Sequence, residues 1–155
     1  MIEKQTTLKK EIVFNGKGLH TGVNVELIIC PADENTGYVF QRTDIEGQPT
    51  IDAIADNVND TSRGTTIEQN GVRVSTIEHV LASLAGLGID NALIKVNGPE
   101  MPIMDGSARV FVEEIKKVGV QVQNAERGFY VIKEKLVYSD PQRGIEIAAY
   151  PDESF

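Results

Sequence analysis

Of the 155 residues, one is cysteine, two are histidine and none is tryptophan. A lone Cys30 forms no internal disulfide and no cysteine-rich zinc site, and its place at the end of an apolar run suits a buried, inert thiol. No stretch approaches the ~18 uninterrupted apolar residues of a membrane span. The opening residues, "MIEKQTTLKKEIVF", mix charge with alternation and lack the apolar core of a secretory leader. The sequence therefore implies a chain without a membrane span, in the cytoplasm. Cations are also scarce, with 15 Lys and Arg against 23 Asp and Glu and a net charge of −8. Such a field repels phosphate backbones and excludes nucleic acid as a partner. There is no tandem repeat, low-complexity tract or Pro/Ser-rich linker. The glycines of "GKGLHTG" match neither the Walker spacing nor that of a dinucleotide fold.

What is present is a hydrophobic pattern that changes period several times, the mark of a mixed chain. Residues 6–14, "TTLKKEIVF", and 23–30, "VNVELIIC", read as two strands joined by the glycine-rich loop 15–22, an antiparallel pair. Between Thr36 and Val74 come short extended pieces that read together as a small β subregion, with Asn70-Gly71 as a hairpin signal. A helix follows, with Ile77, Val80, Leu81, Leu84 and Leu87 on one face and Gly86 and Gly88 at its end. "NALIKVN" (91–97) reads as a strand, and "SARVFVEEIKKVG" as a second helix that sets Phe111, Ile115 and Val118 on one face. Two strand-like runs, "FYVIKEKLVYS" and "IEIAAYP", flank the turn "DPQRG" near the end. These elements predict an α+β fold, a two-layer sandwich of a mainly antiparallel sheet with two helices on one face, plus a small inserted β subregion. Residues 1–126 would form the domain. A two-stranded hairpin is marginal alone, so residues 127–155 read as the first hairpin of an otherwise missing second domain.

The candidate chemistry centres on Glu78-His79. Ser75-x-x-Glu78 fits a capping box, in which serine and glutamate satisfy each other's backbone amides. The same pair also suits catalysis: an imidazole to ligate a metal and a carboxylate to act as general base on the water. One histidine is not a metal site, because catalytic zinc takes three protein ligands and a water. The other histidine, His20, follows Gly18 in a loop and reads as a supporting or backbone-bonding group. Asp105 and Ser107, in "MDGSA", either cap the second helix or support a site. Arg63, in "TSRGTT", is either a solvated loop cation or a substrate contact.

Taken together, "GKGLHTG", "STIEHVLASLAGLGIDN" and "PEMPIMDGSA" closely resemble the N-terminal half of the LpxC family, the zinc-dependent UDP-3-O-acyl-N-acetylglucosamine deacetylases. The three motifs occur in the family's order, and the resemblance runs over essentially the whole chain. It implies a hydrolase that removes the N-acetyl group of an acylated UDP-N-acetylglucosamine, the committed step of lipid A synthesis in Gram-negative bacteria. It makes His79 a ligand of one catalytic Zn2+ and Glu78 the general base. A His-x-x-x-Asp pair and a further histidine complete the family's site, and these 155 positions hold neither. The resemblance further implies two similar α+β domains and a monomer. It places Ser62 and Arg63 beside the substrate, and Arg143 where relatives carry a lysine near the UDP phosphates. Gly64 stands where some relatives carry a cysteine. The alternative is that the chain by itself is a non-catalytic α+β binding domain.

Overall fold

The computed structural model describes residues 3–152. Its strands are β1 (Lys4–Leu8), β2 (Ile12–Lys17), β3 (Asn24–Pro31), β4 (Tyr38–Arg42), β5 (Thr50–Asp52), β6 (Val58–Asp60), β7 (Thr66–Gln69), β8 (Val72–Ser75), β9 (Ala92–Val96), β10 (Val120–Glu126), β11 (Leu136–Asp140) and β12 (Ile145–Ala149). Two helices, α1 (Glu78–Gly86) and α2 (Arg109–Val118), complete the set, with a single 3-10 turn at Ala55–Asn57.

The main sheet has the order β2-β3-β9-β4-β5. Every neighbour pair is antiparallel except β4 with β9. Strand alternation turns one face inward, and the register lines Ile12, Ile29, Ile94, Phe40 and Ile51 into one row across all five strands. Each is buried, and burying such a side chain contributes ~1.5–3 kcal/mol. The adjoining row is Phe14, Leu27, Val96 and Arg42. Arg42 is tolerated among apolar neighbours because every face of its fork is used: Nε and Nη2 donate to Asp44 at 2.9 and 2.8 Å, and Nη1 to the Arg73 carbonyl at 2.7 Å.

Both helices bury their apolar stripes in this core: Val80 and Leu84 from α1, Phe111 and Ile115 from α2. The Phe111 ring meets Phe14 edge-on, with centroids 4.9 Å apart. At the end of α1, Gly88 N–H bonds the Ala85 carbonyl and Ile89 N–H the Leu84 carbonyl. This is a Schellman closure with the buried Ile89 and Leu84 as its apolar pair. The fold is thus α+β with mostly antiparallel sheets and two helices, as the sequence predicts.

Several elements depart from the sequence reading. Residues 6–14 are not one strand: the chain breaks at Lys9-Lys10, where Lys9 N–H bonds the Gly119 carbonyl. β1 then leaves the main sheet to pair with β10, a strand the pattern did not single out. Of the pieces between Thr36 and Val74, β4 and β5 belong to the main sheet, and only β6-β7-β8 form the small inserted sheet. Its Asn70-Gly71 turn is as expected, with φ of 54° and 79°. Of "FYVIKEKLVYS" only the last four residues are strand, as part of β11. β11 and β12 pair with each other, and Val137, Tyr138 and Ile147 stand exposed upon them.

Candidate active site

Three segments converge on one cleft of about 280 Å³. His20 and Thr21 come from the loop between β2 and β3, Asn59 and Asp60 from β6, Ser62, Arg63 and Gly64 from its exit, Ser75 from the end of β8 and Thr76 from the link to α1. Thr66, Arg73 and Pro99 complete the lining.

The link is where sequence pattern and structure part. Ser75 does not cap α1, because it is still strand: its N–H and its hydroxyl both donate to the Pro99 carbonyl, at 3.0 and 3.2 Å. Thr76 then takes φ = 59°, a left-handed conformation that costs a β-branched residue energy. This reversal swings the chain from strand to helix, and α1 begins at Glu78 without a side-chain cap. The capping box fails because both of its groups have other partners. Glu78 Oε2 accepts the Thr65 N–H at 3.0 Å. Gly64 lies close beside the same carboxylate: a Cβ there would stand 3.1 Å from Glu78 Oε1, and the φ of 154° at this position is one that L side chains rarely adopt. Glu78 is thereby fixed against the cleft-lining loop. His79, next in the first turn, is half-buried and its ring makes no hydrogen bond among the described residues.

His20 is brought to the same place. Its Nε2 lies 3.1 Å from the Arg63 carbonyl, a contact that closes the loop at residues 18–22 against the loop at 61–65. Ser62 donates from N and Oγ to Asp60 at 2.9 and 3.1 Å, and these bonds hold the Asp60 carboxyl below the usual carboxylate range. His20, Ser62 and Arg63 therefore share one cleft, with Glu78 behind its Gly64 wall. Asp105 and Arg143 are not among its lining residues. Asp105 accepts from the Ser107 hydroxyl at 2.8 Å, the Ser107 amide at 3.0 Å and Arg109 at 3.0 Å, which hold its carboxyl low. It shapes the approach to α2 without capping it, since the Ala108 position carries no side-chain cap bond. Arg143 sits exposed in the turn between β11 and β12, 3.7 Å from Asp140.

The residue that sequence reasoning missed is Glu100. Its side chain is fully buried, yet it takes hydrogen bonds from two walls of the cleft. Oε1 accepts the His20 N–H and the Thr76 hydroxyl, each at 3.0 Å, and Oε2 accepts the Thr21 N–H at 2.8 Å. Burial pushes its carboxyl up, but the bonds from His20, Thr21 and Thr76 outweigh it and the net shift is downward. No local signal marks Glu100, whose partners on the glycine loop lie 79 and 80 positions away. Arg73, a second cation on the cleft wall, was also passed over.

No group of three His, Cys, Asp or Glu among the described residues stands close enough to hold a metal. His79 is a single donor, so these residues fit one corner of a zinc site and not a whole one. No helix among the described residues is long and apolar enough to cross a membrane.

Comparison with known proteins bears directly on this arrangement. Residues 5–155 match the family described as "LpxC: UDP-3-O-acyl N-acetylglycosamine deacetylase". A bifunctional enzyme LpxC/FabZ of Bacteroides thetaiotaomicron is 55% identical over 152 residues, covering 98% of this chain and 33% of the relative. The corresponding bifunctional enzyme of Porphyromonas gingivalis is 50% identical over 154 residues, 99% of this chain and 33% of the relative. A UDP-3-O-acyl-N-acetylglucosamine deacetylase of Teredinibacter turnerae is 49% identical over 152 residues, 98% of this chain and 50% of the relative. The chain thus spans a third to a half of the length of these relatives. The match over residues 5–155, joined to a cleft that gathers the glycine loop and the Ser75-Thr76 reversal leading into the Glu-His helix, places this chain in the LpxC family of UDP-3-O-acyl-N-acetylglucosamine deacetylases.

Proposed function

We propose that this chain is the N-terminal portion of a zinc-dependent deacetylase that hydrolyses the N-acetyl group of UDP-3-O-acyl-N-acetylglucosamine. The observation that carries the reading is the fixed Glu78 carboxylate, bonded to Thr65 N–H and walled by Gly64, with the unbonded His79 ring beside it at the start of α1. In this reading His79 is one protein ligand of the metal, and the remaining ligands lie in sequence beyond residue 155. Bound there, zinc would supply Lewis acidity toward the amide carbonyl and its attacking water. Glu78 would serve as the general base toward the attacking water, a role open to a carboxylate. Arg63 and Arg73 put positive charge on the cleft wall, where an anionic UDP-sugar gains from it despite the chain's net −8. His20 sits across the cleft as a supporting group, and Ser62 beside Arg63 contacts the sugar nucleotide. Arg143, in the turn between β11 and β12, is a phosphate contact only in the longer protein, and Asp105 shapes the loop ahead of α2. Residues 1–126 form the first domain, and β11 with β12 begins a second whose further elements cover the exposed Val137, Tyr138 and Ile147. The protein works in the cytoplasm as a monomer, committing its substrate to lipid A in a Gram-negative cell.

The reading is tested by calorimetric zinc titration of the 155-residue chain beside its His79→Ala variant. A single imidazole is expected to bind weakly, and the variant not at all, with no acetate released by either chain. Tight stoichiometric binding by the isolated chain would contradict the division of ligands proposed here.

A further inference from the structure

We infer that Glu100 is a positioning residue that sets where the His20 loop stands relative to the Thr76 reversal that leads into Glu78-His79. The inference rests on the deacetylase reading of that cleft. It starts from topology: Glu100 follows the β9 exit, and the chain there bridges to Ser75 on one side, while Pro102 bridges to Gly18 on the other. The Glu100 side chain enters the space between them. Gly18 is what admits it, since a Cβ at that position would overlap Glu100 Oε2 and Thr21 Oγ1 and stand 2.9 Å from Glu100 Cδ.

The carboxylate joins the two walls. Oε2 accepts the Thr21 N–H at 2.8 Å and shares the His20 N–H at 3.2 Å, while Oε1 accepts both the His20 N–H and the Thr76 hydroxyl at 3.0 Å. Thr76 is the residue in the left-handed conformation, two positions before Glu78. One rigid, fully buried anion thus fixes both the backbone that carries His20 and the reversal that launches α1. It touches neither the His20 ring nor Glu78, so its action on the chemistry runs through geometry alone. Misplacement by about 1 Å between groups that must converge on one reacting centre reduces turnover on the order of 100-fold.

The test uses the full-length protein that contains this chain, as wild type, Glu100→Gln and Thr76→Val. Glutamine keeps the size but turns an N–H2 toward the loop amides, and valine removes only the hydroxyl donor. Hydrogen exchange reports the His20 and Thr21 amides against those of Leu27, Ile29 and Ile94 in the main sheet. Steady-state kinetics with the UDP-sugar, normalised to bound zinc, separates kcat from KM. The expected result is faster exchange at His20 and Thr21 in Glu100→Gln with the sheet amides unchanged, and kcat reduced on the order of 100-fold with KM little altered. Thr76→Val, which keeps the loop bonds, lowers kcat by a smaller factor and leaves the His20 and Thr21 amides protected. Wild-type turnover retained by both variants overturns the inference while leaving the deacetylase reading intact. A wild-type protein that releases no acetate sinks that reading and this inference with it.

Discussion

Replacing Gly18 with alanine puts a methyl group into the space that the Glu100 carboxylate occupies. The backbone itself raises no objection, because Gly18 is not among the glycines with left-handed φ; the cost is steric. Glu100 is fully buried and anchored to His20, Thr21 and Thr76, so its oxygens cannot swing into solvent. To relieve the overlap, Oε2 must withdraw from the Thr21 N–H, losing a charge-assisted hydrogen bond of ~1.5–3 kcal/mol. Overpacking a filled site costs a similar ~1–3 kcal/mol when estimated independently. Both routes lead to a loss of about 2 kcal/mol. Urea unfolding followed by circular dichroism reads it: with a slope of roughly 2 kcal/mol/M, the midpoint falls by about 1 M. Gly86→Ala is the matched control, since nothing lies within 4 Å of a Cβ there and alanine favours a helix by up to about 1 kcal/mol. A Gly18→Ala midpoint equal to wild type would refute the claim that the carboxylate is held in place.

Other expectations follow from the same contacts. Phe111→Ala removes the fully buried ring that meets Phe14 and should destabilise the domain by about 3–5 kcal/mol in the same urea assay. Because the folded-state carboxyl of Glu100 is held below its ordinary value of 4.5, its contribution is fully present above that pH. It is lost as the pH falls through the lower folded value. Acid titration of stability should therefore show a steeper loss below about pH 4.5 in wild type than in Glu100→Gln, and parallel curves would count against it. In the full-length protein, Glu78→Gln should lower kcat by about 10²–10⁴-fold while zinc content stays at one ion, which separates a base from a ligand.

The helices were legible because their apolar spacing is local: Val80 with Leu84 and Phe111 with Ile115 announce themselves within two turns. So was the Asn70-Gly71 hairpin, whose turn chemistry needs no distant partner. What failed was decided by partners far along the chain. The Lys9-Lys10 break depends on Gly119, and β4 joins the main sheet only because β9 offers it a parallel edge. The Ser75-x-x-Glu78 pattern met every local requirement of a cap, yet Pro99 claims the serine and Thr65 the glutamate. His20, Ser62 and Arg63 were found as candidates and do share a cleft. Glu100 was not, because one acidic residue in a proline-containing loop reads as solvated until the glycine loop closes over it.

The most direct measurement is acetate release and bound zinc in the full-length protein as wild type, Glu78→Gln and His79→Ala, with folding confirmed for each. One zinc and turnover are expected in wild type, one zinc and almost no turnover in Glu78→Gln, and loss of both in His79→Ala. Full zinc content and full turnover in His79→Ala would contradict the assignment of His79 as a zinc ligand.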